Sequence, residues 1–200
     1  MAVRLRHIRE PTIAASSPDL ILAVATFRRG TGFLGAGLRV PSAAHRPAAI
    51  LPSDSKVLGN GLREIDRFLS LLIDAVADAL ALCPLIRASL ARQHNTARKL
   101  ATLRTAMALA NPDDAALRAI GRSRACLFHT GGIVRAGSPR SMPTRGWADP
   151  DERRGDHPAT GLAIGSPLPV SAQDLHRIGL FYDRIATDLL AALEIKGIVD

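Results

Sequence analysis

Apolar residues recur at Leu58, Leu62, Ile65, Leu69, Leu72, Val76 and Leu80, spaced 4-3-4-3-4-4. That spacing is the stripe of an amphipathic helix facing a core. Arg63, Asp66, Arg67, Ser70, Asp74 and Asp78 fall largely on the other side. Asp74 and Asp78 therefore read as a solvated face rather than as paired catalytic carboxylates. Pro84 ends or kinks this helix and suits the first turn of the next. The second helix is expected to run to Ala110, with Ile86, Leu90, Ala97, Leu100, Leu103 and Met107 inward. Asn111-Pro112-Asp113-Asp114 then spells a helix start: a capping Asn, a Pro in the first helical position, and acids where the dipole favours them. The third helix stops at Gly131-Gly132, where glycine takes the left-handed cap conformation. Ser171-Ala172-Gln173-Asp174 resembles a capping box with Asp in place of Glu. It opens a fourth helix to about Lys196, with Ile178, Tyr182, Ile185, Leu189 and Leu193 as its stripe. Tyr182 is expected to pack its ring in the core with its hydroxyl at the edge.

The remaining segments lack a sustained period. Residues 1–52 read as a poorly structured basic extension, with disorder as the expectation. Within it, Leu20 to Phe27 suits a short strand or helix with no evident partner. Residues 133–170 read as an irregular connection broken by prolines. Its stretches 161–165 and 167–170 suit a small hairpin or a cover over the bundle. The architecture predicted is all-α: a four-helix bundle over residues 53–196, a disordered N-terminal arm, and a long loop before the last helix.

Composition supports this reading. Hydrophobic residues make up 47% and aromatics 4% of 200 residues, so the core must be mostly aliphatic, which suits helix packing. The net charge is +8, carried by arginine far more than by lysine. Residues 53–130 hold eleven basic side chains against seven acidic ones. A positive surface suits a phosphate-rich partner such as RNA, although a merely soluble basic protein has the same balance. Cys83 and Cys126 form no metal-ligand or disulfide framework, and both are expected to be buried reduced thiols. No apolar run is long enough to span a membrane, and no signal peptide is evident. A cytoplasmic protein is expected, with no metal and no cofactor.

One stretch carries chemistry. Residues 118–129 hold Arg118, Arg122, Arg124 and His129 at the end of the third helix. At about 100° per residue, Leu117, Ile120, Leu127 and Phe128 share an apolar side, with Arg124 in its middle. Arg118, Arg122 and His129 project from the opposite side. Arg122/His129 would thus form an exposed basic face. Arg124/His129 would need the helix to end or distort near His129, or a site shared across a dimer.

Arg-x(4–6)-His late in a helical bundle, followed by a glycine stop, resembles the HEPN family (higher eukaryotes and prokaryotes nucleotide-binding domains). Many members are metal-independent RNases of toxin or defence systems; others are inactive binding or dimerisation modules. The resemblance implies His129 as general acid or base at the ribose hydroxyl or the leaving oxygen. It implies Arg122 or Arg124 as the cation that stabilises phosphate charge. Ser123 follows Arg122 where the family favours a polar residue, whereas Ala125 follows Arg124. Arg118, Ser123 and His94 are candidate RNA contacts. A homodimer and a protein partner or antitoxin are implied as well.

A second reading is a non-catalytic helical module that dimerises or binds a partner. In it, Arg124 makes a buried ion pair with an acid of the first predicted helix or of a partner subunit, because an unpaired buried charge is costly. A DNA-binding helix-turn-helix is weaker, since only the turn at 111–114 offers the required geometry. Gly30-x-Gly32-x-x-Gly35 lacks the acidic ribose partner of a dinucleotide site.

Overall fold

The computed structural model describes residues 17–37, 52–135 and 163–195. Among them the chain is all-helical. It has six helices: α1 (Pro18–Gly37), α2 (Pro52–Ala79), α3 (Pro84–Ala91), α4 (Thr96–Ala106), α5 (Asp114–Thr130) and α6 (Ala172–Ile195). None of them is long and apolar enough to cross a membrane.

The long helix α2 is the centre of the packing, touching α1, α3, α4, α5 and α6. Its predicted stripe is buried from Leu58 to Val76. α5 runs antiparallel to α2: Phe128 lies against Gly59 at one level and Arg124 against Asp66 further along. A methyl group at Gly59 would sit 2.8 Å from the Phe128 backbone nitrogen, so only glycine admits this approach. α1 runs antiparallel to α6, with Phe27 beside Tyr182 and Thr31 beside Gly179. Leu20, Phe27, Leu69, Leu72, Leu100, Leu127, Ile178 and Leu193 belong to one continuous core.

Four expectations are corrected. The extension 1–52 was read as disordered, yet α1 is a 20-residue helix packed on α2 and α6; residues 1–16 and 38–51 lie outside the described residues. The sequence of α1 carries no helical period because the helix has apolar residues on both sides. Leu20 and Phe27 point inward while Ile21 and Leu22 are 58% and 66% exposed, so no period emerges. The second predicted helix is two helices: the chain breaks at Arg92–Asn95, and the Asn95 side chain accepts from the Arg98 backbone N–H at 3.0 Å to cap α4. Asn111 is not the cap of α5. Its Oδ1 accepts from Arg104, and Asp113 occupies the cap position. Cys83 is exposed at the start of α3, outside the apolar packing that buries Cys126.

Other expectations hold. α5 ends at Gly131 with φ 62°, and the Gly132 N–H reaches back to the Cys126 carbonyl at 3.1 Å. Ser171 and Asp174 form the predicted reciprocal cap: Ser171 N–H and hydroxyl donate to Asp174, whose N–H donates to Ser171 Oγ. The segment before α6 is a cover rather than a hairpin. Leu168 N–H donates to Gly132 at 2.7 Å, Val134 N–H to Ser166 at 3.0 Å, and Val134, Leu168 and Val170 are buried over the bundle.

Candidate functional site

α5 carries the Arg/His stretch, and its packing decides which side chains can act together. The helix stays regular through Thr130. Five residues of regular helix turn a side chain through roughly 140° net. Arg124 and His129 therefore project in different directions.

Arg124 points to the junction of α2, α5 and α6. Its Nη1 donates to Asp66 Oδ2 at 2.5 Å, and Tyr182 Oη donates to Asp66 Oδ1 at 3.0 Å. Thr96, at the start of α4, brings its hydroxyl to the Asp66 carbonyl at 3.5 Å. Through its carboxylate and its backbone carbonyl, Asp66 thus joins four helices. Asp66 is 16% exposed, Arg124 31%, and Tyr182 not at all. Burial raises the Asp66 carboxyl above its usual 3.8, against the opposing pull of the Arg124 charge and the Tyr182 hydrogen bond. Burial also pushes the Tyr182 phenol well above 10.0, and the Asp66 charge pushes it further. Tyr182 therefore stays a neutral donor. Asp66 was placed on the polar side of α2, but it sits at the border of the apolar stripe, about 80° from Leu58 around the helix. Helices on several sides of α2 turn that border into interior. The sequence-level signal was the combination of a core-facing Arg124 and an acid at the stripe edge.

The other candidates are scattered. His129 is exposed in the last turn of α5, edge-on to Phe128 with ring centroids 4.9 Å apart. Arg63, which the sequence did not single out, places its guanidinium 5.4 Å from the Phe128 centroid. Arg122 is half-buried, and its Nε is buried without a hydrogen-bond partner. Arg118 donates to Asp114 at 2.7 Å, and that hydrogen bond raises its pKa further. Ser123 is 1% exposed, so it offers no surface to RNA; the expectation of a contact there is corrected. His94, expected within the second predicted helix, lies exposed on the α3–α4 link.

The acids of α2 that suggested a carboxylate pair are engaged separately. Asp74 binds the buried Lys99 Nζ at 2.6 Å, and Asp78 lies 3.4 Å from Arg87. A second interior network links α4, the α5 cap and α6: Asp113 holds Arg104 at 2.6 Å and Arg184 at 2.6 Å. Arg104 and Asp113 are each 3% exposed. A groove of about 370 Å³ lies between the end of α2 and α3, floored by Ala77, Ala88 and Leu90 and edged by Asp78 and Arg87. None of its lining comes from α5.

No family model, curated protein or solved structure matches the chain.

Proposed function

We propose that this chain is a HEPN-like helical module that works by binding a partner, with Arg124 as a structural residue rather than a catalytic one. The observation that carries this reading is the Arg124–Asp66–Tyr182 cluster. The guanidinium that would have to stabilise phosphate charge is committed to an interior carboxylate. The helix under it is regular, so His129 is turned away. Catalysis of the metal-independent RNase type needs an imidazole and a cation converging on one phosphate. Within one copy, Arg124 and His129 do not converge. Arg122 lies on the same side of α5 as His129, two turns away, roughly 10 Å along the axis. RNase activity of the toxin type is the competing reading.

The test is cleavage of bulk RNA by the purified full chain in EDTA, alongside His129→Ala and Arg122→Ala, with growth monitored on expression. No cleavage and no growth arrest are expected from any of the three. Cleavage by the wild type that His129→Ala abolishes would overturn the proposal and place the chain among the RNases.

A further inference from the structure

α1 differs from the other helices in what it leaves uncovered. Of its 20 residues only Asp19, Arg28 and Arg29 are charged. Leu20 and Phe27 are buried on the side that packs on α2 and α6. The opposite side centres on Ala25, roughly 140–160° round the helix from both of them. Pro18, Ile21, Leu22, Arg28 and Arg29 lie within roughly 60° of that centre, and they and Ala25 are all exposed. Ile21 is 58% and Leu22 66% exposed. A methyl group at Gly32, on the same side, would meet no atom within 4 Å, so this side stays uncovered past the arginines.

The charge on this strip has one sign. Asp19 lies about 120° from Ala25, off the strip, whereas both arginines lie on it. The strip is thus apolar from Pro18 to Ala25 and cationic one turn further on, and it carries no acid. The sequence around it has the same bias: residues 1–52 hold seven arginines against two acids.

A helix lying in a bilayer interface combines these two features. Its apolar side chains enter the acyl boundary, and its cations meet the lipid phosphates. Arginine suits the edge of such a strip, because its alkyl stem follows the apolar surface while the guanidinium reaches the headgroups. An anionic bilayer answers both halves of the strip at once, with an apolar layer and a dense layer of phosphates above it. Contact of this kind is made at the surface and needs no helix able to cross.

We infer that the outward strip of α1 docks this chain on the surface of an anionic phospholipid bilayer, with Ile21 and Leu22 inserted and Arg28 and Arg29 on lipid phosphates. The inference goes beyond the reading of Arg124 and does not depend on it. The contact is small, so adsorption is reversible. Each arginine strengthens it roughly fivefold near an anionic surface, and salt screens that part.

Co-sedimentation of the full chain with lipid vesicles reads this directly. Vesicles of equal parts phosphatidylglycerol and phosphatidylcholine are expected to carry the wild type down, and vesicles of phosphatidylcholine alone to leave it in solution. A chain of net charge +8 can also adsorb through charge alone, so the deciding variants keep the charge. Ile21→Gln together with Leu22→Gln is expected to weaken binding at least about tenfold, with the fold intact by circular dichroism. Leu85→Gln, at an 82% exposed leucine of α3, is expected to change nothing. Arg28→Gln together with Arg29→Gln is expected to weaken binding roughly twentyfold and to flatten its salt dependence. A wild type that stays in solution, or vesicle binding indifferent to the loss of Ile21 and Leu22, overturns the proposal. So does a chain that ignores vesicles and instead self-associates through the same strip in sedimentation equilibrium. None of these outcomes bears on RNA cleavage, which alone decides the reading of Arg124 and His129.

Discussion

Arg124→Ala is the perturbation that separates a structural arginine from a catalytic one. It leaves the Asp66 carboxylate without its cationic partner, with the Tyr182 hydroxyl still donating to Oδ1. Removing one partner of a buried ion pair costs about 3–5 kcal/mol. Arg124 is 31% exposed and water can enter the space it vacates, so the low end applies, about 3 kcal/mol. For a chain of this size that lowers the melting temperature by roughly 6–12 °C. Urea and thermal melts followed by circular dichroism measure it. A double-mutant cycle with Asp66→Asn isolates the pair, because the asparagine keeps an acceptor for Tyr182 but removes the charge. Coupling above about 1.5 kcal/mol is expected. Additivity within about 0.5 kcal/mol, or a single-mutant cost below about 1 kcal/mol, would refute the claim that this pair organises the interior.

The same variant has a pH signature with a definite sign. The Asp66 carboxyl is raised above 3.8 by burial, while Arg124 pulls it back down. A raised carboxyl binds its proton more tightly in the folded state than in the unfolded chain. Between 3.8 and the raised value, stability therefore falls as pH rises, and above that value the full penalty is present. Taking Arg124 away removes the downward pull and widens the window. The loss in Arg124→Ala is thus greatest at neutral pH and shrinks as the buffer is acidified toward 3.8. A loss that grows in acid contradicts the argument.

Three further outcomes follow from the packing. Tyr182→Phe removes a donor to a charged acceptor and is expected to cost about 1.5–3 kcal/mol by urea denaturation. Tyr182 is the sole tyrosine, so in an alkaline titration the phenolate absorbance should appear above 10.0 together with loss of helical signal; phenolate formed while the helices persist would show that the ring is not enclosed. Gly59→Ala drives a methyl group against the Phe128 backbone and is expected to destabilise by about 1–3 kcal/mol, whereas Gly121→Ala, which meets no atom within 4 Å, tests a mid-helix glycine without that clash and should be neutral or stabilising.

The helices with a polar face were legible from spacing alone. α2, α5 and α6 lie close to where their stripes, glycine stop and capping box put them. α1 was not, because a helix with apolar residues on both sides has no period to detect. The α3–α4 break was written in Asn95, a capping residue inside an apparently continuous stripe, and in this case the cap outweighed the periodicity. At the site, the inward direction of Arg124 followed from helical geometry, and in the non-catalytic reading its expected partner was an acid of the first predicted helix or of a partner subunit. Which acid it would be was not readable, because Asp66 and Arg124 are 58 residues apart and Tyr182 lies 116 residues beyond Asp66. Only the packing of α5 and α6 on α2 brings them together.

The arginine content that suggests RNA thus has a different first use here. Aromatics are 4% of the chain, and the core is aliphatic, with little in it that distinguishes one helix register from another. Charges at Asp66–Arg124, Asp74–Lys99 and Asp113–Arg104 sit where helices meet, and each can be satisfied in only one alignment. Sliding α5 by one turn along α2 would leave Asp66 and Arg124 both unpaired, at a cost that a Leu-on-Leu contact would not impose. His129 stands outside all of these networks. It is exposed, and its neighbours are the Phe128 ring and, beyond it, Arg63. The two members of the Arg-x4-His spacing are therefore energetically separable: Arg124 bears on the alignment of the helices, and His129 bears on the surface.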